Sequence, residues 1–189
     1  MILLHVHSLK SGYGSKPVCG PVSFTLQKKQ LISIEGSNGS GKSTLLKTLL
    51  GELKPISGNY SWTETTRKKI AYLPQITNHE LNSSLSVSEI LDMYEVSDKL
   101  TKFVGPVVGS KKWIELSGGE KQKILILTRI SDQLNAIILD EPYNHLDKIA
   151  CIEMKKLVEK LVDELDLAVI LVSHKKISYE VDDITTVRL

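Results

Sequence analysis

Gly36-Ser37-Asn38-Gly39-Ser40-Gly41-Lys42-Ser43-Thr44 is the group of residues best suited to chemistry in this chain. Glycines open backbone conformations closed to other residues, so successive N–H groups can turn toward phosphate oxygens. Lys42 can reach the β- and γ-phosphates of a nucleotide, and the Ser43 hydroxyl can ligate Mg²⁺. Asp140 and Glu141 make a second group, at the end of the apolar run Ala136-Ile137-Ile138-Leu139. One carboxylate there can hold the Mg²⁺ shell; the other can orient and polarise water for attack on a γ-phosphate. A third group, Ser117-Gly118-Gly119-Glu120, offers a hydroxyl and free N–H groups at a helix start. Taken alone, Ser-Gly-Gly is a turn and a cap. On the same chain as a phosphate loop it reads as a second anion cradle. The chemistry predicted is the binding of a nucleoside triphosphate.

These groups need particular elements to hold them. The apolar run 31–35 precedes the first glycine and Leu45-Leu46 follow the lysine, which gives the strand, loop and helix of a P-loop. The helix beginning near Lys42 adds the positive end of its dipole. Short β-rich runs recur at 2–7, 18–26, 31–35, 70–73, 136–140, 168–173 and 184–188. Those before the P-loop and around Ile137 and Ile170 are almost wholly apolar, as central parallel strands covered on both faces should be. Apolar residues Ile149, Ile152, Leu157, Leu161 and Leu165 predict an amphipathic helix over 146–165. Ser86-Val87-Ser88-Glu89 matches a capping box opening a short helix through Ile90, Leu91 and Tyr94. A further helix is expected over 121–130. The polar stretch 76–115 breaks the α/β rhythm and reads as a helical insertion.

Composition narrows the class. The 189 residues are 41% hydrophobic and 24% charged, with a net charge of +2, which fits one folded domain with a real core. Basic residues are scattered apart from runs such as Arg67-Lys68-Lys69, so a nucleic-acid partner is not expected. Cys19 and Cys151 form no disulfide framework or zinc motif, and a reducing compartment is the simplest reading. The apolar stretch 167–172 falls far short of the ~20 residues of a spanning helix. Met1-Ile2-Leu3-Leu4 reads as a first strand, since it lacks the basic flank and cleavage site of a signal peptide.

Taken together, the motifs resemble the ATP-binding cassette (ABC) family. Walker A at 36–44, the signature Leu116-Ser117-Gly118-Gly119-Glu120 and a Walker B ending at Asp140-Glu141 stand in that family's order. Tyr13 resembles the aromatic that stacks on adenine. Gln75, in Tyr72-Leu73-Pro74-Gln75, resembles the Q-loop glutamine that touches Mg²⁺. Asn144-His145-Leu146-Asp147 looks like the D-loop, and His174, after Val172-Ser173, looks like the switch histidine at the γ-phosphate. The resemblance implies an α/β P-loop NTPase fold of ABC type over residues 1–189. That fold has a mainly parallel central sheet flanked by helices, an antiparallel β region and a short helical insertion at about 76–116.

The resemblance also implies a function: a Mg²⁺-dependent ATPase whose cofactor-binding residues are Tyr13, 36–44, Gln75, Ser117, Gly118 and Gly119. Ser43, Gln75 and Asp140 would serve the metal; Glu141, His174 and Lys42 would be catalytic. In that family two cassettes pair head to tail, so a second cassette, in a homodimer or heterodimer, is an expected partner. The expected role is the energy-coupling subunit of a transporter, held to the cytoplasmic face of a membrane by a separate permease. The alternative is a soluble, non-transport cassette resembling the ABC-F translation factors, although the long basic linker of those proteins is absent. Departures from the pattern are Lys29-Gln30 for the frequent Gly-Glu, Glu120 for Gln, Tyr143 for Thr and Lys175 for Asp.

Overall fold

The computed structural model describes residues 1–67, 69–75 and 84–189. In chain order the elements are β1 (Ile2–Tyr13), β2 (Lys16–Gln27), β3 (Leu31–Glu35), α1 (Lys42–Leu49), β4 (Ser57–Trp62), α2 (Glu64–Arg67) and β5 (Ile70–Leu73). There follow α3 (Val87–Met93), α4 (Asp98–Thr101), α5 (Pro106–Gly109), a 3-10 turn (Trp113–Glu115), α6 (Gly118–Leu127), β6 (Ala136–Asp140), α7 (Lys148–Asp163), β7 (Ala168–Ser173) and β8 (Ile184–Arg188).

Two sheets result. A parallel sheet runs in the order β5-β6-β7-β3-β8, and an antiparallel sheet in the order β2-β1-β4. The inner strands β6, β7 and β3 are apolar on both faces because both are covered, and alternate residues divide between two cores. Ile137, Leu139, Val169 and Leu171 face one core with Ile124, Leu127, Met154, Leu157 and Leu161 of α6 and α7. Ile138, Ile170, Val172, Ile32 and Ile34 face the other, with Leu45 and Leu46 of α1 and Leu4, Val6 and Phe24 of the antiparallel sheet. The first core also takes in Val87, Ile90, Leu91, Leu100, Val104, Trp113 and Leu116, which ties the described part of the helical insertion to the sheet. Residues 76–83, where the insertion was expected to begin, lie outside the described residues.

The five strands of the parallel sheet have the bounds expected from the β-rich runs. The antiparallel sheet differs. β1 continues past His7 to Tyr13 because the register shifts between Val6 and Leu9, with Ser8 at φ 45°. That bulge moves the buried positions from Leu4 and Val6 to Leu9 and Ser11, so a strict alternation read along the sequence stops too early. β4, polar and paired with β1, carries no apolar alternation and was not expected.

Two helices are also placed differently from the expectation. α6 begins at Gly118, directly after its Ser117 cap, and ends at Leu127. α7 spans a shorter range, with Asp147 accepting from the Ala150 N–H at 2.8 Å as its N-cap. Its buried stripe is Met154, Leu157, Val158, Leu161 and Val162, while Ile149 and Ile152 are 73% and 55% exposed. The 3.6-residue period from Met154 leaves those two isoleucines off the core face. The capping box at Ser86 forms as expected: Glu89 accepts from the Ser86 N–H at 2.7 Å. Finally, Arg67 closes the four-residue α2, a turn of helix ahead of β5.

Candidate functional site

β3 and β6 flank β7 in the parallel sheet, so the loops leaving their carboxyl ends emerge side by side. Ligand sites of open α/β sheets form at such ends. From β3 the chain turns through Gly39 and Gly41, at φ 84° and 94°, into α1. A side chain at Gly41 would bring its Cβ within 2.6 Å of Cys19 Cβ, so only glycine allows β2 to back the loop here. Ser37, Asn38 and Gly39 form the exposed rim, with Ser40 partly buried behind them. Ser43 is exposed in the first turn of α1, whereas Thr44 is buried with its carbonyl held by the Thr48 hydroxyl at 2.9 Å.

Lys42 is only 7% exposed, and its ammonium closes back on the loop. It donates to the Gly36 carbonyl at 2.8 Å and the Ser37 carbonyl at 3.0 Å. It also stands 3.5 Å from Glu141 Oε1. The other oxygen of Glu141 lies 2.9 Å from His174 Nδ1 and accepts from the His174 N–H at 3.3 Å. Lysine from the start of α1, carboxylate from just after β6 and imidazole from just after β7 thus converge.

Asp140, the last residue of β6, is 5% exposed. Its Oδ2 accepts a hydrogen bond from the Tyr72 hydroxyl at 3.3 Å, while Oδ1 is buried with no partner among the described residues. Burial pushes the Asp140 carboxyl above its ordinary range, and the neighbouring Glu141 charge adds to this. Tyr72 and Lys42 pull in the opposite direction. The Tyr72 phenol is itself pushed up to about 12, by burial first and by the Asp140 charge second. A buried carboxylate oxygen without a donor is the atom a cation would satisfy. The residues therefore fit Mg²⁺ beside a triphosphate.

The signature segment has a different setting. Ser117 caps α6 in a reciprocal box: its hydroxyl accepts from the Glu120 N–H at 3.2 Å, and Glu120 Oε2 accepts from the Ser117 N–H at 2.7 Å. Lys111 donates to Glu120 Oε1 at 2.8 Å. Burial lifts the Glu120 carboxyl, but Lys111 and the Ser117 groups outweigh it and hold it below the usual range. The carboxylate thus occupies one donor of the expected anion cradle. Ser117 and Gly118 are exposed, and a Cβ at Gly119 would meet that of Ala150 on α7 at 2.6 Å.

Gln75 is exposed two residues beyond β5, and Tyr13, 54% exposed, ends β1 opposite Lys16 at the hairpin tip. Nothing in the local sequence marks Tyr72 for a role, although it stands three residues before Gln75. The signal was weak, since only the pairing of β5 with β6 aims it at Asp140.

A glycine loop at the end of one parallel strand, facing an acidic pair at the end of another, defines a P-loop nucleoside-triphosphate-binding α/β domain. The chain belongs to the ABC transporter family, whose profile matches residues 19–144. The zinc import ATP-binding protein ZnuC of Rickettsia bellii is 31% identical over 180 residues, which cover 91% of this chain and 76% of that one. A putative ABC transporter ATP-binding protein from Pyrococcus furiosus has a TM-score of 0.76 at 26% identity, covering 97% of this chain and 96% of that chain. The cbiO1 subunit from Clostridium perfringens, part of the ABC transporter complex cbiONQ, has a TM-score of 0.77 at 25% identity, covering 92% and 79%. The chain is an ATP-binding ATPase of this family. Among its described residues no helix is long and apolar enough to cross a membrane.

Proposed function

We propose that this chain is the ATP-hydrolysing subunit of a transporter, pairing with a second cassette on ATP and driving transport through a separate membrane permease. The observation that carries the catalytic part is the convergence of Lys42, Asp140, Glu141 and His174 at neighbouring strand ends. The names of relatives matched over most of their length support the transport part. They point to import of a metal ion, with zinc first; in this reading the permease holds the chain on the cytoplasmic face of the membrane.

In this reading the glycine loop's N–H groups and the start of α1 hold the phosphates, and Lys42 exchanges the Gly36 and Ser37 carbonyls for phosphate oxygens. Tyr13 stacks on the adenine. Ser43, Gln75 and Asp140 hold Mg²⁺, which when bound neutralises charge on the β- and γ-phosphates. Glu141 orients a water and takes its proton as the water oxygen attacks the γ-phosphorus and the bond to the β-phosphate bridging oxygen breaks. His174 holds Glu141 and faces the γ-phosphate.

Ser117 and Gly118, exposed on the start of α6, close over the nucleotide of the partner cassette, with Gly119 seated on α7 beneath them. Phosphoryl transfer is mainly positioning and electrostatics, so pairing of the two cassettes completes the site. The soluble ABC-F-like alternative is not favoured, because relatives such as the Rickettsia ZnuC, matched over 76% of its length, bear transport names.

The test is a pull-down of tagged Glu141→Gln protein with ATP from its native cells, with membrane and soluble fractions analysed apart. Stoichiometric recovery of a polytopic membrane protein supports the reading. Recovery of ribosomes, or of no membrane partner, overturns the transport role.

A further inference from the structure

Two of the residues that depart from the family pattern, Tyr143 and Lys175, touch one another. Tyr143 lies two residues after Glu141 and is fully buried. Its carbonyl accepts a hydrogen bond from Lys175 Nζ at 2.9 Å, and its hydroxyl lies 2.7 Å from that of Tyr179. Both partners belong to the stretch that follows His174. Lys175 is anchored in turn, its N–H donating at 2.9 Å to Ser173 Oγ at the end of β7. One residue beside the proposed base is therefore held, through main chain and side chain, by the segment that carries the histidine.

The backbone shows why such a hold matters. Glu141 and His145 bracket Tyr143 at φ 51° and 62°, left-handed conformations that non-glycine residues rarely adopt. They persist only where surrounding contacts over-determine them. Part of that determination comes from the Glu141 N–H donating to the Val172 carbonyl at 2.9 Å and the Asn144 N–H donating to the Glu141 carbonyl at 3.1 Å. Neither bond fixes the turn after Glu141 against the turn after His174. The two contacts of Tyr143 do, beside the bonds that the Glu141 carboxylate itself makes to His174.

We propose that Lys175, Tyr143 and Tyr179 form a clamp that positions Glu141 against His174, with Lys175 as its main fastening. Lys175 is a positioning residue in this scheme and acts only through the two loops. An ammonium on a four-carbon stem reaches a carbonyl across two chain segments, which an aspartate after His174 would instead repel. The proposal rests on the assignment of Glu141 as the base.

The experiment compares Lys175→Met, Lys175→Arg and Tyr179→Phe with the parent protein. It reads ATP turnover at saturating nucleotide, nucleotide affinity, the thermal midpoint and the His174 imidazole ¹⁵N shifts. Lys175→Met should lose about 10- to 100-fold in turnover, the scale on which small misplacements act. Nucleotide affinity should stay unchanged while the His174 shifts move toward those of an unpaired ring. Lys175→Arg should restore part of the turnover.

Parental turnover in Lys175→Met overturns the clamp, as does a loss that follows affinity or thermal midpoint with the His174 shifts unmoved. If Lys175→Met fails to fold, Tyr179→Phe carries the test, and unmoved His174 shifts in that variant overturn the proposal. Glu141→Gln separates the two levels. Normal turnover in it refutes the base assignment, whereas an inactive Glu141→Gln beside a fully active Lys175→Met refutes the clamp alone.

Discussion

The Lys42 ammonium lies 3.5 Å from Glu141 Oε1, and each side chain is only 7% exposed. Lys42 opens α1 and Glu141 follows β6, and the two share one buried pocket of charge. Their pairing links the phosphate loop to the proposed base. Substitution of either residue should therefore fail in its own way.

Glu141→Gln keeps the shape of the side chain and removes its ability to take a proton. Turnover should fall by roughly 10²-fold or more, the usual scale for loss of a general base, while ATP affinity is retained. Steady-state ATPase assays beside equilibrium binding of a fluorescent nucleotide check this. Size-exclusion of the same variant should show a larger species with ATP than without it. Equal size in both conditions would count against pairing of two cassettes.

Lys42→Ala should weaken nucleotide binding itself, since it removes the cation that the γ-phosphate would meet. It also strips the buried Glu141 of a charge partner, a loss of the kind that costs about 3 kcal/mol when nothing replaces it. Calorimetric unfolding should show the destabilisation, and adding Glu141→Gln to the variant should recover part of it. Tight ATP binding by Lys42→Ala would sink the phosphate-loop assignment.

Tyr72 donates to Asp140 Oδ2 and leaves Oδ1 as the oxygen available to a cation. Groups that orient a metal ligand typically cost 10- to 100-fold in metal affinity when removed. Tyr72→Phe should therefore need about tenfold more Mg²⁺ for half-maximal effect. Electron paramagnetic resonance of Mn²⁺ binding in the presence of nucleotide gives a readout independent of turnover. An unchanged metal dependence would reduce Tyr72 to a packing residue.

Glu120, held below the usual carboxylate range, supports the start of α6. A carboxyl depressed in the folded state contributes stability that is present above its unfolded pKa and lost as pH falls through the folded value. Glu120→Ala should cost about 1 kcal/mol near neutral pH, the scale of a helix cap. The difference from the parent should vanish on acidification well below about pH 4, the ordinary glutamate value. Thermal midpoints of both proteins across that range decide the matter. A difference that persists in acid would assign the effect to packing alone.

Much of the site was legible along the chain because its parts are local. A P-loop is a strand, a glycine turn and a helix in immediate succession, so 31–49 carries its own geometry. Apolar runs marked the inner parallel strands β3, β6 and β7, since burial on both faces leaves no alternation to confuse. The same local signals misled at α7, where Ile149 and Ile152 are apolar yet exposed. The bulge at Ser8 also hid the true length of β1. Periodicity records what a residue could bury, and packing decides what it does bury.

The sequence by itself determined the kind of chemistry: which residues can hold phosphate, where a carboxylate pair ends a strand, and which family the ordered motifs resemble. Only the tertiary structure decided the neighbours. Strand order set β7 between β3 and β6, so that Lys42, Glu141 and His174 meet although His174 and Glu141 are 33 residues apart. It aimed Tyr72 at Asp140 and brought Lys175 to the carbonyl of Tyr143. Hydrogen bonds between distant segments leave no trace in local pattern or spacing, because they depend on how strands are ordered and paired after the chain has collapsed.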